Sequence, residues 1–159
     1  MTSTLTPTAL HAVTSQLNGA EIPFRMKVLS DPAAYVRADA GVLYVYKRYV
    51  ARAYAAIQRA YFTVRAGLLP QVPLFTKRLA PGLGLAEDPG DPGTSFGQHR
   101  CRLVAAALWD SFERGTVSEA ERVKAVVSAF RAGGLDPARP YLATGSSDEY
   151  PGMERRGRS

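Results

Sequence analysis

Two cationic side chains, Arg25 and Lys27, alternate with apolar residues in the segment Phe24–Val28. This period of two predicts a half-buried strand with both cations on the outer face and the apolar residues toward the core. Two like charges on one strand face favour an anion that lies between them. A solvated strand face would show the same pattern, so the residues alone leave both interpretations open.

Further cations flank other predicted elements. Arg37 lies just before a second predicted strand, and Lys77 and Arg78 lead into a loop rich in glycine and proline. His99 and Arg100 fall in the first turns of a predicted helix, where the helix dipole favours anions over cations. Basic residues at that position indicate a bound anion, although ordinary surface residues would give the same pattern. All five are candidate anion-binding residues.

A lysine beside arginines and a histidine suits one reaction class, the β-elimination of phosphate from phosphoserine or phosphothreonine. Arginines hold the phosphate dianion, a lysine takes the α-proton, and a histidine or arginine stabilises the leaving oxygen. This chemistry needs no metal or cofactor. The formal net charge of +6 also indicates an anionic partner. Arginine accounts for most of the 20 basic residues, which a GC-rich genome would also produce.

Composition excludes several other classes of site. The chain of 159 residues predicts one domain. A single cysteine excludes an internal disulfide framework, and two histidines exclude a His-rich metal centre. No phosphate-binding loop of the Walker type occurs. No apolar run is long enough to span a membrane, and the N-terminus lacks the pattern of a signal peptide, which predicts a cytoplasmic protein.

The pattern of elements predicts an α+β fold, a small antiparallel-rich sheet packed with three to four helices. Strands are expected at 22–29, 41–47 and 72–79, helices at 7–17, 49–66, 95–115 and 119–133, and a long loop at 80–93. Ser118 with Glu121 predicts a capping box for the last helix. The predicted domains are an N-terminal segment 1–20, a main domain 21–143 and a disordered tail 144–159. We expect Arg25, Lys27 and Lys77 or Arg78 to line one side of the sheet.

Helical periodicity also predicts which faces are buried. The helix that contains His99 has the stripe Cys101, Val104, Leu108 and Phe112, and this makes Cys101 a core residue rather than a nucleophile. The last helix has the stripe Val123, Val126, Val127 and Phe130. The helix 49–66 is apolar around much of its circumference, so we expect part of it to pack on a partner, a second copy or another protein.

Two separate runs resemble the HopA-type effector family, over about residues 20–142. The first is Pro23-Phe24-Arg25-Met26-Lys27-Val28-Leu29-Ser30-Asp31-Pro32 with Tyr35–Val45, and the second is Leu79–Pro89 with Ser95-Phe96-Gly97-Gln98-His99-Arg100-Cys101. The resemblance implies a lyase of lanthipeptide or thioamitide biosynthesis. Such a lyase converts a phosphorylated precursor peptide to dehydroalanine or dehydrobutyrine after a kinase-like partner has acted.

This family is in turn distantly similar to the OspF/SpvC phosphothreonine lyases. The similarity implies that Lys27 is the base and that Arg37 and Arg100 bind phosphate. The pattern of cations in the sequence adds Arg25, Lys77 and Arg78 as further phosphate ligands. Those lyases carry a catalytic histidine on a strand upstream of the lysine, and no matching residue occurs here. Either His99 takes that role, a partner supplies it, or the chain is not catalytic alone.

Two alternatives to a lyase remain. A non-catalytic subunit would bind the phosphopeptide or its leader and activate a kinase-like enzyme. A nucleic-acid-binding module would use the net positive charge, with five tyrosines as stacking platforms: Tyr44, Tyr46, Tyr49, Tyr54 and Tyr61. The tyrosine spacing fits core packing better, so nucleic acid is not the expected partner.

Overall fold

The computed structural model describes residues 6–116 and 118–153 and has the predicted α+β architecture. Its helices and strands, in chain order, are α1 (Thr6–Gly19), β1 (Phe24–Val28), β2 (Gly41–Val45), α2 (Val50–Val64), β3 (Lys77–Ala80), β4 (Leu83–Leu85), α3 (Phe96–Glu113) and α4 (Glu119–Ala132). The chain forms two compact units. The first comprises Met1–Pro73, Ala80–Leu83 and Gly152–Ser159, and the second comprises Leu74–Leu79 and Gly84–Pro151.

The first unit is built on the packing of α1 against α2 and on the β1–β2 sheet. Its core contains Leu17, Ile22, Ala53 and Ala56, each at most 3% exposed. Small alanines on α2 let the two helices approach closely, and burial of these apolar side chains drives their association.

Strands β1 and β2 pair in antiparallel register, with Arg25 opposite Tyr44 and Lys27 opposite Val42. Phe24 packs against the core while both cations are exposed, which confirms the predicted alternation of this strand. The pleat therefore places Arg25 and Lys27 side by side on the outer face of the sheet.

The second unit contains α3 and α4, which pack against each other. Helix α3 begins with a capping box. The Ser95 hydroxyl accepts from the Gln98 backbone N–H, and the Gln98 side-chain carbonyl accepts from the Ser95 backbone N–H. The capping box predicted for α4 does not form, because the Ser118 side chain makes no capping hydrogen bond, although Ser118 is the N-cap residue.

The segment 72–85 differs from the prediction in two respects. Strand β3 pairs with β4, which lies inside the predicted loop, and forms a sheet separate from β1–β2. The expected single sheet is therefore two sheets, and Lys77 and Arg78 do not lie on the sheet of Lys27. Between the strands, Gly82 has a φ of 73°, and a Cβ there would lie 2.4 Å from the Leu69 carbonyl oxygen. Only glycine fits this turn.

The predicted buried stripe of α3 is wrong by one residue. The buried side chains are Arg100, Ala107 and Ser111, whereas Cys101 and Phe112 are exposed. Ser111 is buried at low cost because its hydroxyl donates to the Ala107 carbonyl oxygen at 2.7 Å. The buried stripe predicted for α4 is also only partly correct, because Val123 is 55% exposed whereas Phe130 is buried.

Helix α2 does not expose the large apolar side chains that its sequence predicts. Tyr61, Val64 and three alanines are buried, and none of the large exposed hydrophobic side chains of the described residues lies on α2. Ile57 of α2 also packs against the core of the first unit, and the partner predicted for this helix stays a prediction. In residues 6–116 and 118–153, no helix combines the length and hydropathy that a membrane span requires.

The segment that composition predicts as a disordered tail, 144–159, contains two buried side chains. Tyr150 is 7% exposed and Met153 is 1% exposed. Residues 154–159 of that prediction lie outside the described residues. Tyr150 and Met153 therefore anchor a segment whose other residues are mostly exposed, because their aromatic and thioether side chains provide apolar surface to bury.

Candidate functional site

The outer face of β1 holds a compact group of cations around one aromatic ring. The guanidinium carbon of Arg25 lies 5.5 Å from the centre of the Tyr44 ring, and Lys27 Nζ lies 5.4 Å from the same centre. Both side chains belong to exposed residues. The ring face offers each cation a weak attraction that leaves its N–H groups available to an anion.

Arg37 forms an ion pair with the carboxylate of Asp39. Its Nε and Nη2 each donate to a different oxygen of Asp39 at 2.8 Å, which is the fork geometry that guanidinium groups also adopt with phosphate. This pairing raises the pKa of Arg37 and lowers the pKa of Asp39. The charge of Lys27 lowers the Asp39 pKa further, so the ion pair and Lys27 act on each other electrostatically.

Arg25, Lys27 and Arg37 are thus three exposed cations of the first unit, and Asp39 is the counterion of Arg37. Asp39 neutralises one of the three charges, so an incoming phosphate dianion finds net positive charge and competes with Asp39 for the Arg37 fork. An exposed ion pair of this kind contributes little stability and is readily exchanged for another anion.

Lys77 and Arg78 of the predicted site lie in the second unit and differ in their surroundings. Lys77 Nζ donates to the Asp148 carboxylate at 2.7 Å and lies 5.5 Å from the centre of the Tyr141 ring. Tyr141 donates its hydroxyl to the same carboxylate at 2.7 Å. These contacts lower the Asp148 pKa to about 2. Lys77 therefore holds a carboxylate of its own unit, whereas Arg78 is exposed.

Arg100 has a structural role within the second unit. It is 1% exposed, and its Nε and Nη2 donate at 2.8 Å to the carbonyl oxygens of Pro140 and Leu142. Its Nη1 contacts His99 Nδ1 at 2.7 Å. Because a guanidinium only donates, Nδ1 accepts, and the His99 proton lies on Nε2. A phosphate in solvent cannot reach the Arg100 guanidinium in this arrangement.

The chain matches a known protein family. The HopA1 effector protein family matches residues 2–142. The chain belongs to this family. The match covers β1, β2 and the His99 helix, the segments on which the resemblance of the sequence rests. No curated protein matches the chain.

Residues 143–151, which follow the HopA1 match, belong to the second unit and are held by the buried side chain of Glu87. The sequence analysis did not identify this side chain. Glu87 lies in the segment predicted as a long loop, yet it is only 9% exposed. It accepts from the Tyr150 hydroxyl at 2.5 Å and from the Ala143 backbone N–H at 2.8 Å. Burial and the Glu87 contact raise the Tyr150 pKa. The only sequence signal was an acid among prolines and glycines, which does not distinguish a buried carboxylate from a solvated one.

Neither unit shows a metal site within residues 6–116 and 118–153, where no group of three or more His, Cys, Asp or Glu side chains is arranged to hold an ion. Among the predicted site residues, Arg25, Lys27 and Arg37 are the strongest candidates for ligand binding, because Lys77 and Arg100 donate to acceptors of the second unit.

Proposed function

We propose that this HopA1-family chain is a phosphoserine/phosphothreonine lyase that acts on a precursor peptide phosphorylated by a kinase-like partner, in lanthipeptide-type biosynthesis. Lys27 is the base, and Arg25 and Arg37 bind the phosphate. The product is a dehydroalanine or dehydrobutyrine residue. The observation that supports this most is the pairing of Arg25 and Lys27 over Tyr44 on the open face of β1.

The step transfers one proton and breaks one bond. The neutral amine of Lys27 takes the α-proton of the phosphorylated residue, and the electron pair of that C–H bond forms the Cα–Cβ double bond. The Cβ–O bond breaks with its electrons on the phosphate oxygen. The phosphate leaves with a proton as hydrogenphosphate, so charge and atoms balance. Arg25 and Arg37 stabilise the charge that develops on the leaving group.

His99 is predicted from the sequence to assist departure of the leaving oxygen. Its Nδ1 accepts from Arg100, so Nε2 carries the only ring N–H, which donates a hydrogen bond to that oxygen but keeps its proton. The proton of the hydrogenphosphate comes from solvent, to which Lys27 later returns the α-proton. This assignment is tested separately from Lys27. If His99→Ala retains the wild-type rate of elimination, another group stabilises the leaving oxygen.

The test is mass spectrometry of a phosphorylated precursor peptide, with and without the kinase-like partner, that scores loss of phosphoric acid at each site. Lys27→Arg keeps the positive charge but removes the base. We expect it to lower the elimination rate by at least about 100-fold while phosphopeptide binding stays near the wild-type level. Lys124→Ala, an exposed lysine on α4, is the matched control and should react normally. Wild-type elimination by Lys27→Arg would refute the assignment of the base.

A second candidate function is a subunit that binds the phosphopeptide without chemistry. The observation that favours it is that the only histidine in the first unit is His11, an exposed residue of α1, so no imidazole of that unit follows the lyase pattern. A wild-type chain that binds the phosphopeptide but eliminates nothing, with or without its partner, would establish this function in place of the lyase.

A further inference from the structure

Helix α3 carries an exposed seam of apolar side chains that the fold of its own unit leaves uncovered. Leu108 is 42% exposed, Trp109 61% and Phe112 71%, and the Trp109 and Phe112 rings lie 5.9 Å apart. Cys101 and Ala105 are exposed on the same side of the helix. Large aromatic groups in such a patch are typical of a protein–protein interface.

The spacing of the seam is that of helix pairing. Cys101, Ala105, Leu108 and Phe112 follow one another at intervals of four, three and four residues, the heptad spacing that keeps a stripe facing a second helix. The adjacent stripe, displaced by one residue and including Arg100, Ala107 and Ser111, is buried in the second unit. Helix α3 therefore has two packing faces, of which its own unit fills one.

We propose that the seam binds the same seam of a second copy, with the two α3 helices antiparallel about a two-fold axis between Ala105 and Leu108. In this register Cys101 faces Phe112 and Ala105 faces Leu108 across the interface. Each small side chain meets a large one, so the face is complementary to itself. A parallel pairing would instead place Phe112 on Phe112 and leave the small residues opposite each other.

Charge on the seam's border supports the same register. Arg102 and Glu113 are eleven residues apart, close to three full turns, so both lie on one border of the seam. The antiparallel arrangement brings Arg102 of one copy between Trp109 and Glu113 of the other. A parallel arrangement would place this border of the two copies on opposite sides of the interface, so Arg102 and Glu113 would not meet.

Helix α4 extends the face. Leu108 lines a groove with Val123, Val126 and Val127, and the charged residues Glu119 and Arg122 border it. Val123 is exposed, so apolar surface continues from α3 onto α4. This proposal rests on the second unit alone and does not depend on the proposed lyase activity.

The experiment is sedimentation equilibrium over a wide range of protein concentration, with circular dichroism as the check on folding. We expect the mass to rise from the 17.2 kDa of one chain toward twice that value. Phe112→Ser and Leu108→Ser should each raise the dissociation constant at least about 10-fold. Val36→Ser, which changes a side chain that is 80% exposed in the first unit, is the matched control and should leave the constant unchanged.

Charge reversal distinguishes self-association in this register from other modes. Arg102→Glu and Glu113→Arg should each weaken the dimer, and the double variant should restore it. A wild-type chain that stays monomeric at every concentration overturns the proposal. So does a dimer that Phe112→Ser and Leu108→Ser leave intact, or a double reversal that fails to restore association.

Discussion

The two units use the same cationic residue types in opposite ways. In the first unit, Arg25 and Lys27 are exposed around the Tyr44 ring. In the second, Arg100 is buried on two backbone carbonyls and Lys77 is paired with Asp148. The comparison teaches that an arginine or lysine in a candidate motif can bind an external anion only where its N–H groups are exposed and any internal acceptor can be displaced. The Arg37–Asp39 pair is about half exposed and meets this condition better than the Lys77–Asp148 pair, which is about one fifth exposed.

The largest expected effect separates Arg100 from Arg25. Arg100→Ala leaves the carbonyl oxygens of Pro140 and Leu142 without their buried donors, and we expect a loss of about 3 kcal/mol in the free energy of unfolding. Arg25→Ala removes an exposed side chain and should change that energy by less than about 0.5 kcal/mol. Urea unfolding followed by circular dichroism measures both.

The same pair of variants tested for phosphopeptide binding completes the contrast. Arg25→Ala should bind more weakly while its stability is unchanged. If Arg100→Ala is as stable as the wild type and loses only phosphopeptide affinity, then Arg100 is a ligand and the contrast between the units fails.

The next effect concerns the counterion of the first unit. Asp39→Asn frees the Arg37 fork from a competing carboxylate, so phosphopeptide affinity should increase by about 3- to 10-fold. Asp136→Asn is the matched control, because Arg139 and Asp136 form an equivalent exposed pair in the second unit with an N–O distance of 2.7 Å. Isothermal titration calorimetry compares the two. Equal affinities for both variants and the wild type would show that Asp39 does not compete with the ligand.

The smallest effect concerns the Lys77–Asp148 pair. The Asp148 pKa is about 2, below its ordinary value of 3.8. The pair therefore stabilises the folded state fully at pH values above 3.8, and this contribution is lost as the pH falls toward 2. Because both side chains are about one fifth exposed, we expect no more than about 1 kcal/mol. Asp148→Asn should lower stability at neutral pH and flatten its decrease between pH 4 and 2, as measured by thermal unfolding at each pH. A wild-type slope in the variant would assign the acid sensitivity to other carboxylates.

Sequence periodicity was sufficient for most elements of the fold. The alternation around Arg25 and Lys27 located β1 with its exposed face, and the spacing of apolar residues located α1, α2 and α3 within a few residues. Strand β4 could not be predicted, because its Leu83–Leu85 segment lies among glycines and prolines that locally favour turns. The partner of Lys77 is Asp148, 71 residues further along the chain, and local patterns do not specify such a contact. Arg37, in contrast, pairs with Asp39 only two residues away.

The error on α3 has a specific physical cause. The helix has two stripes with the same spacing, and hydrophobicity alone selects the one with Leu108 and Phe112 as the core. The fold buries the stripe with Arg100 and Ser111 instead, because internal acceptors satisfy both polar side chains. A pattern of residue types cannot show which polar groups will find partners at a distance along the chain.

The late position of the stabilising residues also has a consequence for biosynthesis of the chain. Asp148 and Tyr150 complete the contacts of Lys77 and Glu87, and Met153 is buried in the first unit. A ribosome makes these residues after almost everything else in both units. In a nascent chain that has emerged only to α4, Glu87 is therefore incompletely buried, and the apolar surface that Met153 later covers is exposed. Chaperones and proteases can bind this intermediate until residue 153 has left the ribosome and folded.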